Sequence, residues 1–558
     1  MSWSKLLKPN LPTRLAGSGT ANIRGDLFGG LTAAVVALPL ALAFGVASGA
    51  GPIAGLYGAI ATGFFAALFG GTPAQVSGPT GPMTVVMGAI VASHSDSLPE
   101  AFTIVMLGGL LQMLFGFLRI GRYVTYTPRS VVSGFMTGIG VIIIVIQLLP
   151  FIGLPTSNDG VLATLRTFLT MNTGLLDFRV IGLSTATLLL IVYWPSQLAR
   201  VIPAPLGALL MGTFAAAVAI PSAPTIGAIP SGLPELVIPV PSASALVQML
   251  QPALILALLG SIDSLLTSLV ADSVTKTRHD SDKELVGQGL GNMVAGLIGA
   301  LPGAGATMRT VVNIRAGGHS PVSGMLHSIV LLALVLGLGP AVAFVPHAVL
   351  AAILMNVGWE IIDWGYIKRL RRVPREKAFV MLITLLLTVF VDLITAVAVG
   401  IIAASFVTAK WLAEEQLKGL KQVTKAADLD DLTTEETSLL NAADGRILIT
   451  ELRGSFSYAS ARELERRDIQ ALELNDVVIY DFTHSAYIDP SGAMAIDAMI
   501  DSSKQQDTHV IVAGLRGQSL RTLEGMGVLD RIPASNRFEH RTDAIAAAAE
   551  YCRSTPRP

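Results

Sequence analysis

The chain has 558 residues, of which 52% are hydrophobic and only 14% charged, and 38 basic residues nearly balance 39 acidic ones. A soluble domain carries about 25% charged residues, so this composition, with a mean hydropathy of +0.63, excludes an ordinary soluble protein and specifies a polytopic membrane protein. The charge balance leaves no basic footprint for nucleic acid, and the single cysteine, Cys552, rules out an intrachain disulfide.

Residues 1–26 are polar and basic and read as a cytoplasmic segment. They have no apolar centre of their own, and the first long apolar run starts after them, which is unlike a cleaved signal peptide. Residues 27–410 read as an all-α transport domain. Apolar runs lie at 27–47, 52–69, 79–91, 101–118, 131–149, 180–194 and 204–220. A second set lies at 251–271, 285–300, 306–314, 322–338, 340–358, 378–391 and 393–409. The cuts at Gly339-Pro340 and near Asp392 divide two longer runs. The pattern predicts fourteen segments in two sets of seven.

Charge placement supports this count, because cytoplasmic loops are enriched in Lys and Arg. With the N-terminus inside, even-numbered segments end inside. Those ends carry Arg119, Arg122 and Arg129, then Arg200, then Lys276, Arg278 and Lys283, then Arg315. The densest cluster follows the twelfth segment: Lys368, Arg369, Arg371, Arg372, Arg375 and Lys377. The loops expected outside hold few basic residues, chiefly Arg166 and Arg179. Both termini are therefore expected in the cytoplasm.

Two short segments stand apart from the rest. Ser77-Gly-Pro-Thr-Gly-Pro-Met-Thr-Val-Val86 and Gly303-Ala-Gly-Ala-Thr-Met-Arg-Thr-Val-Val-Asn313 each open on Gly, Pro or Ala and then read as a short helix. Their Thr-Val-Val triplets lie 226 residues apart, and the same offset carries the first apolar run of one set onto the first of the other. Interrupted segments in corresponding positions of two halves point to an inverted repeat whose halves meet at a substrate site. Irregular backbone at membrane depth is tolerated only when buried in protein or lining a cavity.

Two such helices present free N–H groups and positive dipole ends, which form an anion site without needing a charged side chain. Thr80, Gly81 and Met83 from the first segment and Ala306 and Thr307 from the second are the expected anion contacts. Arg309 either adds a fixed positive charge to them or faces Asp263. Small residues and threonines also glue membrane helices together, so plain helix packing is the competing account. Asp263 is the sharpest single residue, a carboxylate within an apolar run. It lies four residues from Thr267, on the same helical face. With the carbonyls of Gly305 and Ala306 and the Thr307 hydroxyl, these two make an oxygen shell for sodium. A protonatable carboxylate giving proton coupling, and an ion pair with Arg309, are the other readings of Asp263. Pro39 bends the first segment beside the site, with Phe44 lining it, or serves as a packing kink. Asp392 sits in an outer turn without an assigned role, and His347 follows Pro346 as an interface residue.

Composition shifts after Lys410. Residues 411–445 read as a charged, helix-like linker. Residues 446–558 alternate strands at 447–452, 477–481 and 510–513 with helices at 459–471, 491–503 and 518–527, which is one small α/β domain. Its Ile488-Asp-Pro-Ser-Gly492 loop carries Ser491, a candidate regulatory residue; the competing account makes Asp489 or Ser491 a helix N-cap. No Gly-x4-Gly-Lys-Ser/Thr loop for a nucleotide is present, which argues against ATP-driven pumping.

Pro39 with Ala43-Phe44, then Gly55-Leu56-Tyr57, then the Gly/Pro third segment, resembles the opening of the SulP anion transporters, the sulfate permeases and their relatives. The C-terminal part resembles the STAS domain those proteins carry, which is related to bacterial anti-sigma-factor antagonists; their loop bears a phosphorylated serine that Ser491 would match. The resemblance covers nearly the whole chain. It implies core and gate domains, elevator-like movement, a homodimer and a bacterial inner-membrane location. Within the family the chain is most similar to the BicA-type, sodium-dependent bicarbonate transporters. The shared stretches are Asn22-Ile-Arg-Gly-Asp26, Ala37-Leu-Pro39, Gly78-Pro-Thr-Gly-Pro-Met-Thr-Val-Val86, Ile262-Asp263, Glu284-Leu-Val-Gly-Gln-Gly-Leu-Gly-Asn292 and Gly303-Ala-Gly-Ala-Thr-Met308. That branch implies sodium at the Asp263 positions and bicarbonate as substrate. Leu40 stands where many sulfate-type members carry glutamine. Arg309 stands where the bicarbonate branch resembles glycine and other branches carry a basic residue. Transport of sulfate or a dicarboxylate, coupled to protons or by exchange, is the alternative. A membrane-anchored signalling protein and a channel-like anion conductor are further ones, the first weakened by the broken helices and Asp263. No enzymatic centre and no cofactor are expected.

Overall fold

The computed structural model describes residues 9, 21–94, 97–124, 128–155, 160–171, 176–198, 202–227, 234, 236–237, 243–391, 393–424, 432–457 and 475–555. The expected helix at 459–471 lies outside the described residues, as do Arg200 and Asp392. The chain divides into two compact units, residues 1–402 and 403–558.

The first unit is helical. Its main elements are α1 (Ala21–Ala47), α2 (Pro52–Phe69), strand β1 (Ser77–Gly78), α3 (Gly81–Ser93), α4 (Leu98–Phe117), α5 (Arg129–Ile146), α6 (Phe178–Val192) and α7 (Ala204–Ala219). They continue with α8 (Ala243–Thr275), α9 (Ser281–Leu297), strand β2 (Ala304–Gly305), α10 (Thr307–Arg315), α11 (Pro321–Val342), α12 (His347–Ile361), α13 (Arg375–Phe390) and α14 (Leu393–Leu417), the last running on into the second unit. Among the described residues, seven helices are long and apolar enough to cross a membrane, and five more are apolar but shorter. The protein is thus a multi-pass membrane protein.

Two expectations about element ends change. The break expected at Gly339-Pro340 falls at 343–346, because α11 carries through both residues to Val342. A proline in the last turn removes a single amide bond, and surrounding helices in a bilayer compensate for that. The region between α5 and α6, expected as a loop, contains a helix at Gly160–Thr170. The basic cluster after α12 lies on the short helix Trp364–Arg369, the turn that follows and the first turn of α13, with all six cations exposed.

Packing separates two helical groups. In the first, α9 lies on α4 and α2, α11 on α1 and α2, and α8 on α4. In the second, α13 lies on α5, α12 on α5 and α6, and α7 on α6. Glycine permits the close crossings of the first group. A Cβ at Gly109 of α4 would stand 2.4 Å from the Met293 nitrogen of α9, and one at Gly289 of α9 would stand 2.5 Å from the Gly109 oxygen. Small residues let membrane helices approach until backbones touch, where dispersion replaces the missing hydrophobic drive. The group is also tied by charge. Asp26 on α1 accepts the amides of His319 and Ser320 at 2.8 and 3.0 Å, which supplies acceptors to unsatisfied donors at the start of α11.

The second unit is a five-stranded sheet of order β3-β4-β6-β8-β9: β3 (Leu420–Val423), β4 (Ile447–Leu452), β6 (Val477–Asp481), β8 (His509–Ala513) and β9 (Arg537–Phe538). A small parallel pair stands beside it, β5 (Gly454–Phe456) with β7 (Ser485–Ile488). The central strands β4, β6 and β8 are parallel. Leu448, Val478, Tyr480 and Val512 pack on one face with Ile496 and Met499 of α16 (Pro490–Gln505) and Leu523 of α17 (Gly517–Gly525). Ile449, Val477, Ile479 and Ile511 pack on the other with Leu440 of α15 (Thr434–Ala442) and Ile545 and Ala548 of α18 (Arg541–Ser554). Both faces are covered, so the strands are mostly apolar on both sides rather than alternating, with Thr450, Glu451 and Asp481 as buried polar residues. The stretch expected as a helix-like linker carries the end of α14, strand β3 and helix α15. A capping box between Thr433 and Glu436 starts that helix.

Candidate substrate and cation site

The two interrupted segments meet. β1 and β2 pair antiparallel, Ser77 opposite Gly305 and Gly78 opposite Ala304, and the Ala306 amide extends the ladder to the Val76 oxygen at 2.9 Å. Each strand feeds a short helix, α3 after Thr80 and α10 after Ala306. Both N-cap residues are extended, and neither supplies a side-chain cap. The first-turn amides of both helices are therefore not capped from within, as an anion site of this kind requires. Gly78 is obligatory here: a Cβ on it would stand 2.6 Å from Arg309 Nη1, at a φ of +152°.

The remaining expected residues fall around this junction. Thr267 of α8 donates to the Gly305 oxygen at 2.9 Å and shares a hydrogen bond of 2.7 Å with the Thr307 hydroxyl. Asp263 lies one turn earlier on the same helix, buried, and its Oδ2 has no hydrogen-bond partner. The buried Thr80 hydroxyl faces this carboxylate. Met83 and Ala306 are buried, whereas Thr307 and Met308 are exposed, so the junction opens on the side of α10. A Cβ on Gly81 would lie 2.7 Å from both Ile143 of α5 and Ile361 of α12, which sets the start of α3 against the second helical group.

Arg309 is 2% exposed. Its Nη2 donates to the Pro79 oxygen at 2.7 Å, and its Nη1 has no hydrogen-bond partner. No ion pair joins it to Asp263; the guanidinium reaches across to β1 and the entry of α3 instead. The two opposite charges thus attract each other across the junction without a salt bridge, and Arg309 Nη1 and Asp263 Oδ2 each lack a hydrogen bond. Ser491 belongs to the second unit. It sits in the first turn of α16, where Asp489 accepts the Gly492 amide at 2.7 Å and is the cap.

Further polar residues, to which the sequence assigned no role in the site, hold the junction. Ser264 accepts the Gly305 amide at 3.0 Å, and the Thr310 hydroxyl accepts the Val76 amide at 3.0 Å. Asn292 grips Gly303 with both ends of its amide, at 2.8 and 3.0 Å. Glu284, Gln288 and Asn292 are all buried on α9. Their spacing of four is a polar stripe on one helical face, and this signal was available in the sequence.

Comparison with known proteins accords with this geometry. The model of the sulfate permease family matches residues 23–384, and that of the STAS domain matches residues 440–544. The bicarbonate transporter BicA of Picosynechococcus sp. is 43% identical over 538 residues, covering 94% of this chain and 95% of that protein. The solved transmembrane domain of a cyanobacterium bicarbonate transporter BicA superposes with a TM-score of 0.65 at 47% identity, covering 68% of this chain and 98% of that one. The overall structure of SLC26A9 gives a TM-score of 0.81 at 18% identity, covering 98% and 93%, and shares the fold. With the family model spanning the helical unit and its junction, this chain belongs to the sulfate permease family and carries a C-terminal STAS domain.

Proposed function

We propose that this protein is a secondary active anion transporter that takes up bicarbonate together with sodium. The observation that carries the reading is the Thr267 hydroxyl, which lies within 3 Å of both the Gly305 carbonyl and the Thr307 hydroxyl, one helical turn from Asp263. These neutral oxygens beside one carboxylate suit a monovalent hard cation. The names of relatives at 43% and 42% identity, both bicarbonate transporters, support the anion. Sodium is held by Asp263, Thr267, Gly305, Ala306 and Thr307. The anion is held by Thr80, Gly81 and Met83 of α3, with Ala306, Thr307 and Arg309. Sodium at Asp263 neutralises a carboxylate that would repel the anion, which makes binding of the two cooperative.

Transport proceeds by an elevator movement in which α1–α4 and α8–α11 form the core and α5–α7 and α12–α14 the gate, within an inverted repeat of α1–α7 and α8–α14. The protein acts as a homodimer in the bacterial inner membrane with both termini cytoplasmic, and Ser491 is its regulatory position. Arg309, with its free Nη1, favours a second reading in which the anion is divalent, sulfate or a dicarboxylate, and the coupling ion a proton. The test is uptake of labelled bicarbonate into proteoliposomes with and without an inward sodium gradient, beside sulfate and fumarate under a pH gradient. Sodium-driven bicarbonate uptake that disappears in Asp263→Asn is the expected result. Proton-driven sulfate or fumarate uptake, indifferent to sodium, overturns it in favour of the second reading.

A further inference from the structure

Glu284 is a carboxylate 1% exposed at the start of α9, and the transport reading gives it no task. Its Oε2 accepts the amides of Gly71 and Thr72 at 2.9 and 2.8 Å. Its Oε1 accepts the side-chain amides of Gln75 and Gln288 at 2.7 and 2.8 Å. Four donors use up the acceptor capacity of the carboxylate, so it has none left for a transported ion.

The partners of Glu284 lead directly to the cation site. Gln75, held by Glu284, accepts through its Oε1 from Ser268 at 3.0 Å, and Ser268 also bonds the Thr72 hydroxyl at 2.7 Å. Ser268 is the residue after Thr267. The amide of Gln75 also lies directly against Gly305, where an added Cβ would stand 2.3 Å from Gln75 Nε2. The Gly305 carbonyl is the one that Thr267 contacts. Glu284 therefore braces, through one glutamine and one serine, the two oxygens from α8 and β2 that the symport reading gives to sodium.

We propose that Glu284 is a positioning residue for the coupling cation: by orienting Gln75 and Ser268 against Gly305 and Thr267 it sets the affinity for sodium without touching the ion. The inference rests on the sodium-symport reading above. Groups that orient metal ligands from behind typically carry roughly 10–100-fold in metal affinity.

The experiment is a sodium titration of bicarbonate uptake in proteoliposomes for wild type, Glu284→Gln, Ser268→Ala and the double variant. Glutamine keeps the size of Glu284 but turns one acceptor into a donor facing two donors. Glu284→Gln is expected to raise the sodium half-saturation by roughly 10–100-fold, with the maximal rate and the bicarbonate half-saturation at saturating sodium unchanged. Ser268→Ala raises it by a smaller factor. The double variant is no worse than Glu284→Gln alone, because both act through one relay. A fall in maximal rate with wild-type sodium half-saturation identifies a merely structural role and overturns the inference, as does a Ser268→Ala variant indistinguishable from wild type. Should Glu284→Gln fail to fold, Ser268→Ala decides by the same two outcomes. A wild-type protein whose uptake ignores sodium refutes the symport reading itself, and this inference with it.

Discussion

Thr267→Val tests the cation site with the smallest change in shape. Valine replaces the hydroxyl by a methyl and keeps the β-branched volume. Two hydrogen bonds disappear, one to the Gly305 carbonyl and one shared with the Thr307 hydroxyl. Each contributes about 1 kcal/mol net, so the junction of α8, β2 and α10 loses about 2 kcal/mol. Under the symport reading sodium also loses a neutral oxygen ligand, and the Gly305 carbonyl loses the bond that orients it. About 2 kcal/mol in binding corresponds to roughly a 30-fold rise in sodium half-saturation, since each 1.4 kcal/mol is tenfold. The assay is bicarbonate uptake against external sodium in proteoliposomes. Thr103→Val is the control, because the Thr103 hydroxyl bonds only the Pro99 carbonyl within its own helix, at 2.8 Å. Equal sodium half-saturation in Thr267→Val and Thr103→Val would refute the reasoning and remove Thr267 from the site.

Two further outcomes are expected elsewhere in the chain. Gly109→Ala should destabilise the first helical group by about 1–3 kcal/mol through overpacking, because its Cβ would stand 2.4 Å from a backbone nitrogen of α9; Gly182→Ala, which meets nothing within 4 Å, should not lower the melting temperature. Thermal unfolding of the purified variants compares them, and equal melting temperatures count against the crossing described here. In the STAS unit, Arg541 bonds Glu436 at 3.1 and 3.2 Å and lies 3.9 and 3.6 Å from the buried carboxylates of Glu451 and Asp481. Arg541→Met leaves those charges without it and should cost about 3–5 kcal/mol, read as faster hydrogen exchange in α15 and α18. Burial pushes the Glu436 carboxyl up, but bonds from Arg541, the Thr433 amide and Thr542 outweigh it and hold the group below its ordinary 4.5. Its stabilisation is complete above that value and is lost as pH falls through the lowered one. Protection of α15 should therefore decline on acidification below 4.5 in wild type and lose that component in Glu436→Gln.

The function reading depends on how charges are distributed, and on this the sequence was ambiguous. Asp263 and Arg309 within one apolar region read equally well as an ion pair or as two separate sites. Folding separates them: Arg309 spends one nitrogen on the Pro79 carbonyl, and Asp263 keeps an oxygen free. An ion pair would have neutralised the junction and left nothing to attract either sodium or an anion.

Local pattern was enough for much of the rest. Apolar runs of spanning length and the alternation of loop charge made a multi-pass helical unit legible, because both are properties of contiguous residues facing lipid or water. Mostly apolar runs at 447–452 and 477–481 made the STAS strands legible, because a sheet covered on both faces demands them. The two Gly-rich segments announced an irregular backbone, and their common offset announced that they belong together. The sequence could not show which polar groups meet. Glu284 binds Gly71, Thr72 and Gln75 from more than 200 positions away, and Arg309 reaches Pro79 across 230. Such partners are chosen by the path of the whole chain. A buried polar atom takes whichever donor or acceptor the packed helices bring within about 3 Å, and only the tertiary structure decides which one that is.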